Sequence, residues 1–494
     1  MKNILKTIAV VFLIALVSGC SKDYFDVNTP TSAVDANQLR MNDLLAPVIF
    51  HTIYAQYDAE RTFGNYVQNF VIQGGGAAGV TSISGTWSNV YLYILPNLKV
   101  IRDKAKAANA KHFDAVAQIL TAINIGLATD SYENIPYSEA TQASNNFTPG
   151  FDKQEDIYKD IFSLLDNAIA ELEAPDNSGY NIGRNEDLIY HGDASKWLRA
   201  AYTLKARYKL HLINKEGPVK AAQEALAAIQ KGFSSNADDF QMSFDEKHIN
   251  PWYSREVLAK HTGNSHDVIC DQLVEYMDGT AFPFTGGVVT RDPRLPVYAQ
   301  TDDGTDTYKG YVSGGQGLSG DSTQANTDFR EEGFYTNANA PIVVISYAEA
   351  KFIEAEAEFL ANGGTTTSTG TTAAGYDAYL AGIAANMAKL GVNGADYLAD
   401  PSVAMGAANL KLQNIMKEKY IANFLNPETY VDFRRYNFST DVFKNLALPV
   451  DNDQSEFPGK WLVRAQYPST ETQRNPDNVS ANQKSPIDPV WWMQ

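Results

Sequence analysis

Apolar residues recur at three- and four-residue intervals along two stretches of this chain, and residues that stop helices separate one run from the next. In the first stretch, segments 39–63, 88–107, 112–128, 154–172, 194–213 and 219–230 each carry one apolar stripe, the pattern of an amphipathic helix. Asn109, Pro149-Gly150, the Pro175 to Gly179 run and Gly217-Pro218 punctuate them. These residues supply the left-handed or fixed-φ backbone that ends or begins a helix. A second stretch predicts helices over 346–361, 376–390, 407–425 and 428–435, interrupted by a Gly/Thr-rich loop at 363–375.

Between these two blocks, 232–345 loses the period and fills with Gly, Asp, Thr, Asn and scattered aromatics, and the tail 441–494 is irregular again. So large an irregular share in a folded chain points to function carried on loops. Helices of this length joined by short turns predict antiparallel pairs, and 88–128 spans close to the period of about 34 residues of tetratricopeptide units. The period is not kept further along. The expected fold is therefore mainly α, an irregular tetratricopeptide-like scaffold of helix pairs with long loop-rich insertions. Without a linker to end a first fold, 39–494 reads as a single domain, with helical blocks 39–231 and 346–435, insertion 232–345 and tail 441–494.

The start of the chain has a different character. Lys2 and Lys6 precede an apolar run from Ile8 to Leu16, and Val17-Ser18-Gly19 leads to Cys20. This is the layout of a secretory signal, far short of the ~20 residues a membrane-spanning helix needs. Small residues ahead of a thiol also resemble a bacterial lipobox, so 1–19 reads as a lipoprotein signal peptide, Cys20 as the lipid attachment site and 20–38 as a polar tether. Several acyl chains on one residue would give stable anchoring. Charge excludes another class of function: 40 Lys and Arg against 58 Asp and Glu leave −18, which repels nucleic-acid backbones. With Cys20 consumed, Cys270, the second of two cysteines, is left as a buried thiol rather than half of a disulfide.

Catalytic and metal motifs are sparse. His248, His261 and His266 fall in no zinc spacing, and the Gly-rich run from Gln73 to Gly79 lacks the Lys-Ser/Thr of a phosphate loop and reads as a flexible loop. Asp302-Asp303-Gly304-Thr305-Asp306 looks calcium-like, but counting from Asp302 places Thr307 and Ser313 where an EF-hand needs Gly and Glu. A solvated turn is the better reading, with an irregular calcium site left open. Glycoside hydrolysis needs only two carboxylates, and Glu349 and Glu356 lie on one helical stripe. Seven residues of helix rise about 10.5 Å, beyond the retaining separation and at the edge of the inverting one, which favours structural hydrogen bonding. Aromatics in the insertion, including Trp252, Tyr253, Tyr311 and Tyr335, are the remaining signal. Their faces stack on sugar rings or peptide side chains while Asn, Asp and Gln select hydroxyls or amides.

Ordered motifs along the chain now bear on the family. Phe25 to Pro30 follows the lipobox, Trp87 to Tyr91 leads into a helix with Asn97, and Thr129-Asp130-Ser131-Tyr132-Glu133-Asn134-Ile135-Pro136-Tyr137 comes next. Trp197 with Leu204 to Arg207, Asp292-Pro293-Arg294-Leu295, Ser346 to Phe352, Lys417 to Tyr420, Tyr430 to Arg435 and Arg464 to Pro468 complete the series. Together they resemble the SusD/RagB family of nutrient-binding outer-membrane lipoproteins. The resemblance implies no catalysis, cofactor or metal. It implies a lipid-anchored, surface-exposed protein at the outer membrane that takes oligosaccharides, or in some members peptides, and passes them to a TonB-dependent SusC-like transporter. Ser21-Lys22-Asp23 is only mildly acidic, a departure that bears on surface exposure. The proposed ligand-binding residues are Trp87, Trp252, Tyr253, Tyr311 and Tyr335, and the helical Glu and Arg residues of the motifs are assigned to the scaffold. An extracytoplasmic glycan hydrolase and a helical scaffold that binds no ligand are the alternatives.

Overall fold

The computed structural model describes residues 39–72, 79–142, 145–302, 304–315 and 325–494. Cys20, the tether and the Gly-rich run up to Ala78 lie outside these residues. The first helix, α1 (Met41–Tyr66), runs three residues past its apolar stripe. Gly64 makes this possible, because a Cβ there would overlap the Phe70 ring that folds back on the last turn. Gln68, at φ 59°, then reverses the chain.

The segment expected as one helix over 88–107 is built in two parts. A wide π-turn, Asn89–Ile94, precedes α2 (Leu95–Ala108), whose second residue is Pro96. Proline has no N–H to give back to the preceding turn, and the Asn97 side-chain amide instead donates to the Tyr93 carbonyl at 2.7 Å. Asn109 closes α2 in the left-handed conformation, φ 52°, as its sequence position predicts. α3 (Lys111–Tyr132) follows at once and is buried from Phe113 to its end.

The scaffold then alternates back and forth through α4 (Gln154–Glu173), α5 (Ala194–His211) and α6 (Pro218–Ile229). α7 (Tyr347–Ala361) packs on α6 and pairs with α8 (Ala373–Lys389), and α9 (Leu412–Ala422) and α10 (Glu428–Arg435) follow, with shorter helices at Asp271–Met277 in the insertion and at Ser469–Arg474 and Pro476–Asn482 in the tail. Caps mark the starts. Asp193 accepts from the backbone N–H groups of Ser195 and Lys196, Ser346 from Glu349, and Thr372 from Gly375, each satisfying a donor the first turn leaves open. The Thr372 cap starts α8 three residues before its expected beginning. α9 is shorter than expected, since Ala407–Asn409 forms a separate 3₁₀ turn. This mainly α fold of helix pairs agrees with the expectation from sequence.

The insertion is less formless than its sequence. β1 (Phe70–Ile72) pairs antiparallel with β3 (Asp267–Ile269), β2 (Phe240–Met242) with β6 (Ile342–Ile345), and β4 (Ala299–Thr301) with β5 (Thr327–Phe329). Strands of three or four residues are too short to show a period of two. Met41–Gln494 form one compact unit, and no helix among the described residues is long and apolar enough to cross a membrane.

Charge is folded into the core in pairs. Arg207 of α5 grips Glu349 of α7, Arg435 of α10 meets Glu356 at 2.7 Å, Arg294 bridges Asp292 and Glu418, and Arg464 meets Glu133 at 2.7 Å. All nine side chains are buried. These are the motif residues assigned from sequence to the scaffold, and a buried charge persists only when paired in this way.

Candidate functional site

The C-terminal end of α1 and the irregular tail together wall a cleft of about 500 Å³, within the range of small-molecule sites. Asn65, Tyr66, Gly79 and Val80 form one side, and 448–462 the other. Residues so far apart are brought together by short links. The Gln68 side chain donates to the Ala447 carbonyl at 2.7 Å, and the Tyr420 hydroxyl of α9 reaches the carbonyls of Val67 and Gln68.

Aromatic rings give the cleft its recognition surface. Trp461 lies parallel to Phe438, with centroids 4.6 Å apart and planes 3° from parallel. One indole face is thus occupied, and the half-buried ring lines the cleft. Phe457 is also half-buried, and Tyr66 is held from the side by Phe63 and Tyr430 while its hydroxyl donates to Gly79 at 2.8 Å. Burial holds the Tyr66 phenol well above its ordinary value, so it stays a neutral donor. Asn65, Asn452, Ser455, Asp451, Glu456 and Lys460 supply the polar edge.

The tail side of the cleft is a closed loop rather than a loose one. Asn452 accepts from the Gly459 N–H at 2.5 Å and donates to the Lys460 carbonyl at 3.3 Å. Val450 N–H donates to Ser313 at 3.0 Å. Next to that bond Gly314 sits at φ 71°, and a Cβ there would overlap the Asp451 carboxylate. A fixed loop presents Phe457 and Trp461 with little entropy left to lose on binding.

The aromatics chosen from sequence lie elsewhere and are not gathered at one place. Trp87 is buried against Tyr91, Tyr132 and Tyr467, Trp252 between Tyr57 and Phe70, and Tyr335 on Tyr298 and Phe424. At 6%, 2% and 6% exposure these three rings spend their faces on the core, which corrects the reading that they face a ligand. For Trp252 and Tyr335 the cause is that the insertion packs onto the rest of the fold through its large side chains, while Trp87 is enclosed by Tyr132 of α3 and Tyr467 of the tail. Tyr253 and Tyr311 are half-buried. Tyr311 packs on the Val71, Val268 and Cys270 cluster, two residues from the Ser313 contact with the cleft loop.

Sequence reasoning missed Trp461, Phe457 and Tyr66. The argument that singled out aromatics of an irregular segment, applied to the tail as well as to the insertion, finds the first two. Tyr66 sits at a helix end beside Gly64 and gives no such signal.

Other chemistry is tied up in pairs. Glu349 is bound by Arg207, and Glu356 by Arg435, Lys419 and Tyr436, so the acid pair considered for hydrolysis serves the core. Burial pushes Glu349 up, and at Glu356 burial is outweighed by Arg435 and Lys419, which hold the carboxyl at about 2. The calcium-like turn is neutralised by side chains: Asp302 meets the Lys260 ammonium at 3.0 Å and Asp306 meets Arg291 at 2.7 Å; Asp303 lies outside the described residues. His248 lies by Asp245, His261 by Glu331 and His266 by Asp328. Among the described residues no cluster of three or more His, Cys, Asp or Glu is placed to hold a metal ion.

Paired helices that hold up an open cleft of aromatic rings and amides define a ligand-binding protein of the helical-scaffold class. Residues 33–468 match the SusD-like family described as starch-binding and associating with the outer membrane, and the chain belongs to that family. Among solved structures it is similar to a SusD/RagB family protein from Bacteroides thetaiotaomicron, at 24% identity and TM-score 0.71 over 92% of this chain and 99% of that one. A chitin-binding protein matches at 25% identity and TM-score 0.72 over 92% and 100%. A chitin-binding SusD homologue from Flavobacterium johnsoniae matches at 21% and 0.66 over 92% and 97%. No curated protein matches.

Proposed function

We propose that this protein captures oligosaccharides in the cleft between Tyr66 and Trp461 while held at the outer-membrane surface by lipid on Cys20, and that it hands them to a TonB-dependent SusC-like transporter. The observation that carries this reading is Trp461, an indole braced on one face by Phe438 that lines a cleft edged by amides and carboxylates. A flat apolar face beside hydroxyl-selecting groups suits a pyranose ring. The family description and the 25%-identical chitin-binding protein support a carbohydrate ligand, and a β-linked N-acetylglucosamine oligomer is the first to test.

Calorimetric titration with chitotetraose, maltotetraose and a tetrapeptide tests this reading. The expected result is saccharide binding that Trp461→Ala weakens by about tenfold with an unchanged melting temperature. Binding that is indifferent to Trp461, or confined to the peptide, would overturn it. Co-purification of a barrel transporter with the wild-type protein tests the partner.

A further inference from the structure

A second cleft, of about 500 Å³, opens midway along α1, between Tyr54 and Tyr57 of that helix and the segment 247–255. Its chemistry differs from that of the main cleft. Lys247, His248 and Arg255 line it together with Ser254, and no carboxylate does, although the whole chain carries −18. The Lys247 ammonium is exposed and has no carboxylate partner among the described residues. Arg255 leans on Asp267 through two long contacts of 3.4 Å. Its other acidic neighbour, Glu256, is buried and lies 3.7 Å from the guanidinium, and burial with Asp267 beside it pushes the Glu256 carboxyl well above the usual range. His248 is paired at the rim with Asp245 at 3.3 Å, and Asp58, the acid nearest Tyr54, accepts from Asn89 at 3.1 Å.

The aromatic floor is firmly backed. Tyr57 is buried, meets Trp252 edge-on at 4.9 Å and donates to the Pro251 carbonyl at 3.4 Å. Tyr54 is half-buried and braced by Phe50, with ring centroids 4.6 Å apart. A braced ring loses little freedom when a ligand stacks on it. The ammonium and guanidinium beside it select negative charge, and a guanidinium suits a carboxylate or sulfate edge.

We infer that the cleft bounded by Tyr54, Lys247 and Arg255 is a second saccharide site, one that takes an anionic pyranose with its ring on Tyr54 and its carboxylate or sulfate toward Lys247 and Arg255. Carboxylated and sulfated sugars share this chemistry. The inference does not depend on the ligand of the main cleft.

Equilibrium titration with tetragalacturonate, a sulfated disaccharide, chitotetraose and tetraglutamate tests it on the whole protein and on single variants. Tetragalacturonate or the sulfated disaccharide, whichever binds more tightly, should lose about tenfold in affinity with Lys247→Glu and again with Tyr54→Ala. Lys247→Arg should keep the affinity, rising salt should weaken binding, and Trp461→Ala should leave it unchanged. Thermal melting of each variant confirms that the fold persists, and Lys247, being exposed, can be changed without disturbing the core. The proposal is overturned if neither anionic sugar binds, if Lys247→Glu binds as well as wild type, if Trp461→Ala abolishes binding, or if tetraglutamate binds as tightly as the sugars.

Discussion

Arg207 and Glu349 lie 142 residues apart in sequence and meet in the core through two hydrogen bonds, of 2.8 and 2.6 Å. One belongs to the first helical block and the other to the second, so this contact helps fasten the two across the insertion. Arg207 Nη2, which donates to Glu349, also donates to the carbonyl of Val344 at 2.7 Å, the residue before β6 ends. Removing one partner strands the other as a buried charge, which costs about 3–5 kcal/mol. Arg207→Met should therefore lower unfolding free energy by about that amount in urea titration, and Arg207→Met combined with Glu349→Leu should cost less than Arg207→Met alone.

Gly314 and Gly263 share φ 71°, but only Gly314 has the Asp451 carboxylate where a Cβ would stand. Replacing either by Ala incurs the left-handed strain of about 1–2 kcal/mol. Gly314→Ala should cost more than Gly263→Ala in thermal melts and should weaken ligand binding at the main cleft, because it displaces the loop carrying Phe457 and Trp461. Gly263→Ala should leave binding as it is.

Acid should unfold the protein in a predictable window. Burial acts to raise the carboxyls of Glu356, Glu418 and Glu428, but neighbouring cations outweigh it and hold all three at about 2: Arg435 and Lys419 at Glu356, Lys417 and Arg294 at Glu418, His211 and Arg207 at Glu428. Their unfolded value is 4.5. A depressed carboxyl contributes stability that is complete above the unfolded value and lost as pH falls through the folded one. Unfolding free energy should thus decline from pH 4.5 toward 2, and Glu418→Gln should be less stable at pH 7 with a shallower decline.

Cys270 is fully buried, and burial with the neighbouring Asp271 carboxylate pushes its thiol well above the ordinary value. In a Cys20→Ser background it should resist a thiol reagent at pH 8 in the native state and react at once in guanidinium, since the thiolate is the reactive form.

Cys20→Ala tests the anchor apart from the ligand. In cell fractionation the wild-type chain should sediment with membranes and the variant should appear in the soluble fraction after ordinary cleavage; a processed variant that stays with membranes would count against lipid attachment.

Much of the scaffold was legible because its helices advertise both stripe and cap. Asn109 ends α2 where the pattern places it, and Asp193 and Ser346 cap α5 and α7 within a residue of their predicted starts. The strands were not, because β1 through β6 are three or four residues long and are held by partners up to about two hundred positions away, such as Phe70 with Ile269. The site was harder still. A ring in a loop can point in or out, and Trp252 and Tyr335 point in because Tyr57 and Phe70 pack against the one and Tyr298 and Phe424 against the other. The main cleft joins Gln68 to Ala447 across 379 positions, a closeness that no local pattern encodes.

The first described helix ends in the wall of the main cleft. α1 has 26 residues and is therefore about 39 Å long, with Met41 at one end and Tyr66 at the other. One continuous spar thus sets the distance between Met41 and the cleft wall at Tyr66. Any change that keeps the spar helical leaves the cleft wall at the same remove from Met41.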